Sequence, residues 1–228
     1  RDCFVEQRRL QMTRSRITNK RVCGIGINDA DYNVTIHDET GKKIIWTCPY
    51  WEKWRSMLKR CYLSSYHITH PTYVGRDVCT EWIYFSNFKS WMETQDWEGK
   101  DLDKDLLIYQ NKVYSPDTCV FISNKLNTFI SVNQNKNQQH KIGVWKSNRL
   151  YRNMKEYMCK IQNGTGKQEY VGVFYTEQEA HHAWQIRKRE LGIELLKEQT
   201  NIDAIRGLCR IINKLHYEAE NGITTYSL

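Results

Sequence analysis

The stretch QEYVGVFYTEQEAHHAWQIRKRELGIELLK, residues 168–197, decides the fold. Its first seven residues alternate as a half-buried strand does. Thr176 then opens a helix, and Glu179, three residues on, completes a capping box. Ala180, Trp184, Arg187 and Leu191 recur on one helical face to about Lys197. Upstream, IGVWKSN (142–148) and EYMCKIQ (156–162) alternate in the same manner, with turns at 148–153 and 163–167. These segments predict a three-stranded antiparallel sheet that packs on the helix through Ala180, Ala183 and Trp184. Its other face stays open and carries Trp145, Ser147, Lys160, Gln162, Gln168 and Tyr170. Cationic, amide and aromatic groups in one plane suit phosphates, base edges and deoxyribose. A last helix, at about 202–220, repeats Ile205, Leu208, Ile212 and Leu215.

The charge distribution points the same way. The formal net charge is +8, and residues 136–167 hold eight Lys/Arg against one acid, Glu156. A cationic block of this kind expects a polyanionic partner. Lys141, Lys146, Arg149, Arg152 and Lys155 are its candidate phosphate contacts. Residues 93–105 reverse the balance, with six carboxylates against Lys100 and Lys104, a composition suited to cations. No apolar run approaches the roughly 20 residues of a membrane span. The eight cysteines form no CxxC pair, and the basic residues 1–20 contain no signal-peptide core. The compartment therefore reads as cytoplasmic with reduced thiols, and no membrane partner is expected.

The remaining elements lie upstream. Residues 1–20 read as a basic arm, with six Lys/Arg and two acids. Residues 21–47 predict a β-hairpin. Residues 49–62 predict a helix, with Pro49 in its first turn and Tyr50, Trp54, Met57, Leu58 and Cys61 at helical spacing. Residues 63–75 read as a loop, followed by a helix from Thr80 as N-cap to Glu93 that buries Trp82, Phe85 and Phe88. LDKDLL (102–107) and CVFI (119–122) read as strands around a turn at 111–116. Ser123 caps a helix over 124–131, and the polar residues 132–141 read as a linker.

A strand–loop–strand–helix of that size has the chemistry to hold a divalent cation. An acid on its first strand and an amide on its helix suit Mg²⁺ or Mn²⁺. Such a metal would stabilise the leaving oxygen of a phosphodiester. The ordered set Arg60-Cys61-Tyr62, Pro71-Thr72-Tyr73, Val78-Cys79-Thr80-Glu81-Trp82, the LDKD strand and the YSPDTC turn (114–119) resembles the phage and homing-type HNH endonucleases over about residues 48–131. The resemblance implies metal ligands at Asp103 and Asn127. It places the first His of the family at Lys104 and the middle Asn at Thr118, two departures from the catalytic signature. Lysine is protonated at neutral pH unless strongly desolvated. Lys104 would then pair with a scissile phosphate, or His67, His70 or Asp105 would replace the base. Asp103 and Asp105 have an equal alternative as a surface acidic patch paired with Lys100 and Lys104. Cys48, Cys61, Cys79 and Cys119 are the candidates for a structural Zn²⁺ site, with buried free thiols as the alternative.

The C-terminal stretch carries a second resemblance. Gly143-Val144, Val171-Gly172-Val173-Phe174 and Thr176-Glu177-Gln178-Glu179-Ala180 with Ala183-Trp184 resemble the Apetala/ethylene-response-factor DNA-binding domain and its phage counterparts, over about residues 140–195. That resemblance implies contacts to double-stranded DNA from Trp145, Lys146, Ser147, Arg149, Lys160, Gln162, Gln168 and Tyr170. The family uses Arg at several of these places and this chain does not.

The expected fold class is therefore α+β: a small ββα-metal, HNH-like module and a three-stranded antiparallel sheet packed on a helix. The expected domains are a basic arm at 1–20, the HNH-like module at 21–131, a linker at 132–141 and a DNA-binding domain at 142–228. The functional expectation is a phage-type DNA-binding protein acting as a metal-dependent endonuclease or nickase in the cytoplasm of an infected host. The alternative is a DNA-binding, regulatory or anti-defence protein whose HNH-like module has lost its chemistry.

Overall fold

A computed structural model describes residues 21–132, 139–147, 156–163 and 167–228. The basic arm, most of the expected linker and the turn with Arg149, Arg152 and Lys155 lie outside the described residues. The chain is mixed α+β and divides into two compact units. One takes the described residues up to Asp96 together with Gln110–Cys119. The other takes Trp97–Tyr109 and the described residues from Val120 to Leu228.

In the first unit, β1 (Thr35–His37) and β2 (Ile44–Thr47) form an antiparallel hairpin. Residues 21–34, expected as strand, contribute isolated bridges at Val22↔Gly26 and Ile27↔Tyr84. Helix α1 (Pro49–Tyr62) starts at its proline and buries Trp51, Trp54, Met57, Leu58 and Cys61. The expected 63–75 loop contains a short helix, α2 (Ser64–Thr69), and a 3-10 turn at Pro71–Tyr73. Strand β3 (Asp77–Val78) follows.

The helix expected over 80–93 is broken in two. A 3-10 turn, Thr80–Ile83, ends at Tyr84, which is extended, and α3 (Phe85–Glu93) starts after it. The cause is tertiary. Ile27 N–H donates to the Ile83 carbonyl at 2.8 Å and Phe85 N–H donates to the Ile27 carbonyl at 3.0 Å. Thr80 therefore caps nothing, yet the aromatic stripe is kept: Trp82, Phe85 and Phe88 are all buried. Trp54 Nε1 donates to the Trp82 carbonyl at 2.7 Å, which satisfies the one polar atom of a buried indole.

In the second unit, β4 (Asp101–Asp103) is shorter than expected, because residues 104–110 turn away from it. The turn expected at 111–116 instead contains β5 (Val113–Tyr114), which belongs to the first unit and runs parallel to β3. Strand β6 (Val120–Ile122) pairs antiparallel with β4. Helix α4 (Asn124–Ile130) follows, and Ser123 Oγ accepts the Leu126 N–H as its cap. Strands β7 (Val144–Lys146), β8 (Tyr157–Gln162) and β9 (Gln168–Phe174) form the antiparallel sheet in that order. Helices α5 (Glu177–Leu196) and α6 (Ile202–Glu220) complete the unit.

One core joins these elements. Leu106, Val120, Ile122, Leu126 and Phe129 pack in the same cluster as Val144, Cys159, Ile161, Trp184 and Leu208. The contacts of 97–109 and 120–132 therefore group them with the C-terminal sheet, across the expected 132–141 linker. Both halves of the α5 capping box are present: Thr176 Oγ1 accepts the Glu179 N–H at 3.1 Å, and the Glu179 carboxylate accepts the Thr176 N–H at 3.2 Å. Thr176→Ala is expected to cost about 1 kcal/mol in urea denaturation, while Thr176→Ser stays close to neutral.

Candidate nucleic-acid interface

The sheet places its side chains by register. Val144, Cys159 and Ile161 are buried on the face that α5 covers. On the opposite face, Trp145, Met158 and Val173 form one paired row, Lys160 and Tyr170 a second, and Gln162 and Gln168 a third. Tyr170 is 55% exposed and Trp145 38%, large values for rings of this size. A register shift between Cys159 and Lys160 leaves Val171 without a cross-strand partner, and a bulge of this kind increases local twist. Twist is what lets a small antiparallel sheet follow a groove.

No carboxylate stands in these three rows. Glu169, the acid of β9, lies opposite Ile161 on the helix face. Arg187 holds it there, with Nε donating to Oε1 at 2.8 Å and an Nη to Oε2 at 3.2 Å. The same guanidinium reaches Glu190 at 2.9 Å and Glu194 at 3.4 Å. Arg187, grouped with Trp184 by helical spacing, thus acts as a clamp that keeps negative charge off the open face.

The other expected contacts divide. Lys160, Gln162, Gln168, Tyr170 and Trp145 stand together on the open face. Lys146 shares its register with Tyr157 and Phe174 on the helix-side face, and its Nζ pairs with Glu156 at 3.4 Å. Ser147 is half-buried, and its N–H donates to the Glu156 carbonyl at 2.6 Å. Arg149 lies outside the described residues. Met158 and Val173 belong to the face and were missed, although the alternation through Lys160 and Gln162 already places Met158 beside them.

The central candidates are occupied by local structure. Asp103 Oδ1 accepts the N–H groups of Asp105 at 2.9 Å and Leu106 at 2.6 Å, closing the turn that follows β4. Burial raises its pKa, against the lowering effect of the Leu106 hydrogen bond. Lys104 is buried, and its Nζ donates to Asp105 Oδ1 at 2.5 Å. Asn127 turns its amide to Asp101 Oδ2 at 3.2 Å. Thr118 belongs to the other unit, where its Oγ1 donates to the Val113 carbonyl at 2.8 Å and accepts the Ser115 N–H at 3.1 Å. His67 Nε2 lies 2.8 Å from the Arg60 carbonyl, and His70 stacks on Tyr66.

Neither family models, curated proteins nor solved structures match this chain.

The cysteines divide by environment. Cys48, Cys61 and Cys119 are buried cysteines outside any disulfide, with Cys48 Sγ 3.6 Å from the Tyr32 hydroxyl. Cys79 is half-buried, and desolvation pushes its thiol pKa up. Among the described residues, no three His, Cys, Asp or Glu side chains gather as metal ligands would.

Proposed function

We propose that this chain binds double-stranded DNA through the open face of the β7–β8–β9 sheet, with the HNH-like segment serving as scaffold. The observation that carries this reading is the composition of the three rows. Two aromatic rings, one lysine and two amides share a carboxylate-free face, while the acid of the same strand is clamped on the opposite side. The eight Lys/Arg of residues 136–167 add the sequence-independent attraction to phosphate that such a face needs. The order of β4, β6 and α4 supports the ββα resemblance. The scaffold role is supported by Lys104, whose buried Nζ is engaged with the Asp105 carboxylate instead of standing open to a water.

The test combines a duplex titration with a plasmid assay. The chain is expected to shift duplex DNA in Mg²⁺, Mn²⁺ and EDTA alike, and to leave supercoiled plasmid closed. Combining Trp145→Ala with Lys160→Ala is expected to weaken duplex binding by about tenfold or more and to lower the salt slope by about one. Metal-dependent nicking that Asp103→Ala abolishes would overturn the scaffold role in favour of the endonuclease. Absence of any shift would sink DNA binding itself.

A further inference from the structure

The first unit contains a second cationic, aromatic surface that the sheet reading does not use. Residues 53–76 hold five Lys/Arg (Lys53, Arg55, Lys59, Arg60 and Arg76) and no Asp or Glu. The first acid beyond them, Asp77, accepts the Tyr62 hydroxyl and the Val78 N–H. Within this segment Tyr66 and His70 stack nearly parallel, with ring centroids 4.1 Å apart and planes 6° apart. The Lys59 ammonium sits 4.7 Å from the Tyr66 ring centroid. Tyr73 approaches both rings at a tilt, 5.8 Å from Tyr66 and 6.4 Å from His70.

This arrangement is anchored from beneath. The Arg60 guanidinium lies 6.0 Å from the Tyr73 ring centroid and is hydrogen-bonded to Tyr114, whose ring is buried. His70 Nδ1 is held by Thr69 Oγ1 at 2.8 Å, and the Thr69 hydroxyl also reaches the Tyr66 carbonyl at 3.2 Å. The imidazole is therefore oriented while its residue stays exposed. Ile68, 82% exposed, and Val74, 63% exposed, flank the rings in sequence.

The geometry points to a binding site for single-stranded DNA, in which an unstacked base adds to the Tyr66–His70 stack at the exposed His70, with Lys59 close by for the backbone. Stacking on aromatic rings beside a cationic track is how single strands are held without sequence preference. The alternating grain of a sheet is not needed for this, since a single polarised stack presents a π-face to any base. Charge favours a polyanion: Arg55 and Lys59 are exposed one turn apart on α1, with Glu52 the one acid on that helix face, while Arg60 and Arg76 are held by Tyr114 and the Asn111 carbonyl. Val74, exposed and next to Tyr73 in sequence, adds apolar surface of the kind deoxyribose and the thymine methyl group cover. The inference stands on residues of the first unit alone, so it does not depend on the sheet reading.

The experiment uses the whole chain and three fluorescent probes: an oligothymidylate, the matching oligoribonucleotide and a duplex. His70→Ala is expected to weaken oligothymidylate binding by about fivefold or more, in line with the loss of one stacked base. Lys59→Gln is expected to flatten the salt dependence by about 0.7. His70→Phe keeps a stacking face and is expected to restore the affinity. Both His70 variants change an exposed side chain, and an unchanged melting temperature confirms the fold. Trp145→Ala with Lys160→Ala is expected to lower duplex binding and leave the oligothymidylate untouched. The inference is overturned if His70→Ala binds oligothymidylate like the parent, or if the sheet variant alone loses it. Equal loss of duplex binding in His70→Ala, or tighter binding of the ribonucleotide, overturns it as well. Duplex binding that survives the sheet variant counts against the sheet reading only.

Discussion

Replacing Lys188 with methionine is expected to stabilise the protein by about 2 kcal/mol at neutral pH and to remove a steep dependence of stability on alkaline pH. Lys188 sits on α5, 3% exposed, and has no ion-pair partner among the described residues. Its Nζ donates to the Phe129 carbonyl at 2.6 Å, near the C-terminus of α4, and lies 4.1 Å from the centroid of the Phe129 ring. Carbonyl and ring both favour the ammonium, but burial outweighs them and lowers the pKa from 10.5 to about 7. Above pH 10.5 the lysine is neutral in both states. As pH falls from there towards 7, the unfolded chain takes up a proton that the folded chain refuses. Stability therefore declines by about 1.4 kcal/mol per pH unit across that window and then levels off. Over the whole window the contribution is on the order of 5 kcal/mol, an upper bound that the lost hydrogen bond offsets in the methionine variant. Urea titrations of parent and variant between pH 7 and 10.5 check this. Stabilities that differ by a constant amount across the window would show that Lys188 is already charged in the folded state.

The second large effect is expected at Gly143, where alanine is expected to cost about 3 kcal/mol or more. This glycine has φ +78° and leads into β7, where a tight turn joins the Val144 N–H to the Lys141 carbonyl at 3.0 Å. A Cβ here would lie 2.0 Å from Trp184 Cδ1 and 2.3 Å from Cγ. Trp184 is buried and cannot swing aside without opening the contact between α5 and the sheet. Gly222→Ala is the control. It shares a positive φ of +65°, but its Cβ meets nothing within 4 Å, so only the backbone penalty of about 1 kcal/mol applies. Equal melting temperatures for the two variants would refute the packing argument. If Gly143→Ala remains folded, its duplex affinity reports whether the open face needs the helix behind it.

Much of the second unit is legible in the sequence. The strands at 144–146, 157–162 and 168–174 follow a two-residue alternation, and the Thr176 capping box marks the start of α5 to the residue. The last helix spans the expected 202–220, with Leu208, Ile212 and Leu215 buried and Ile205 half-buried. Ser123 caps α4 as its side chain suggests. Each of these features is local: periodicity, capping and turn chemistry act over a few neighbouring residues, so a short window contains their cause.

The remainder was settled by residues distant in sequence. The helix expected over 80–93 breaks at Tyr84 because Ile27 bonds on both sides of it. Val113 and Tyr114 become strand only because β3 pairs with them. No local pattern shows that Lys104 is buried against Asp105, or that Asp103 closes a turn, so the roles implied for them could not be judged from the motif alone. Three polar residues of α5 give the clearest case. His181 and Gln185 are buried because residues 222–228 return across the helix: Thr225 N–H donates to His181 Nε2 at 3.0 Å, and Gln185 Nε2 donates to the Ile223 carbonyl at 2.8 Å. Lys188 is buried because Phe129 meets it from another helix. In the C-terminal sheet and its two helices the sequence by itself determined which segments are strand and helix and which face of the sheet is polar. Tertiary structure alone decided which charged and polar groups leave water, because the cost of desolvation depends on partners that distant segments supply.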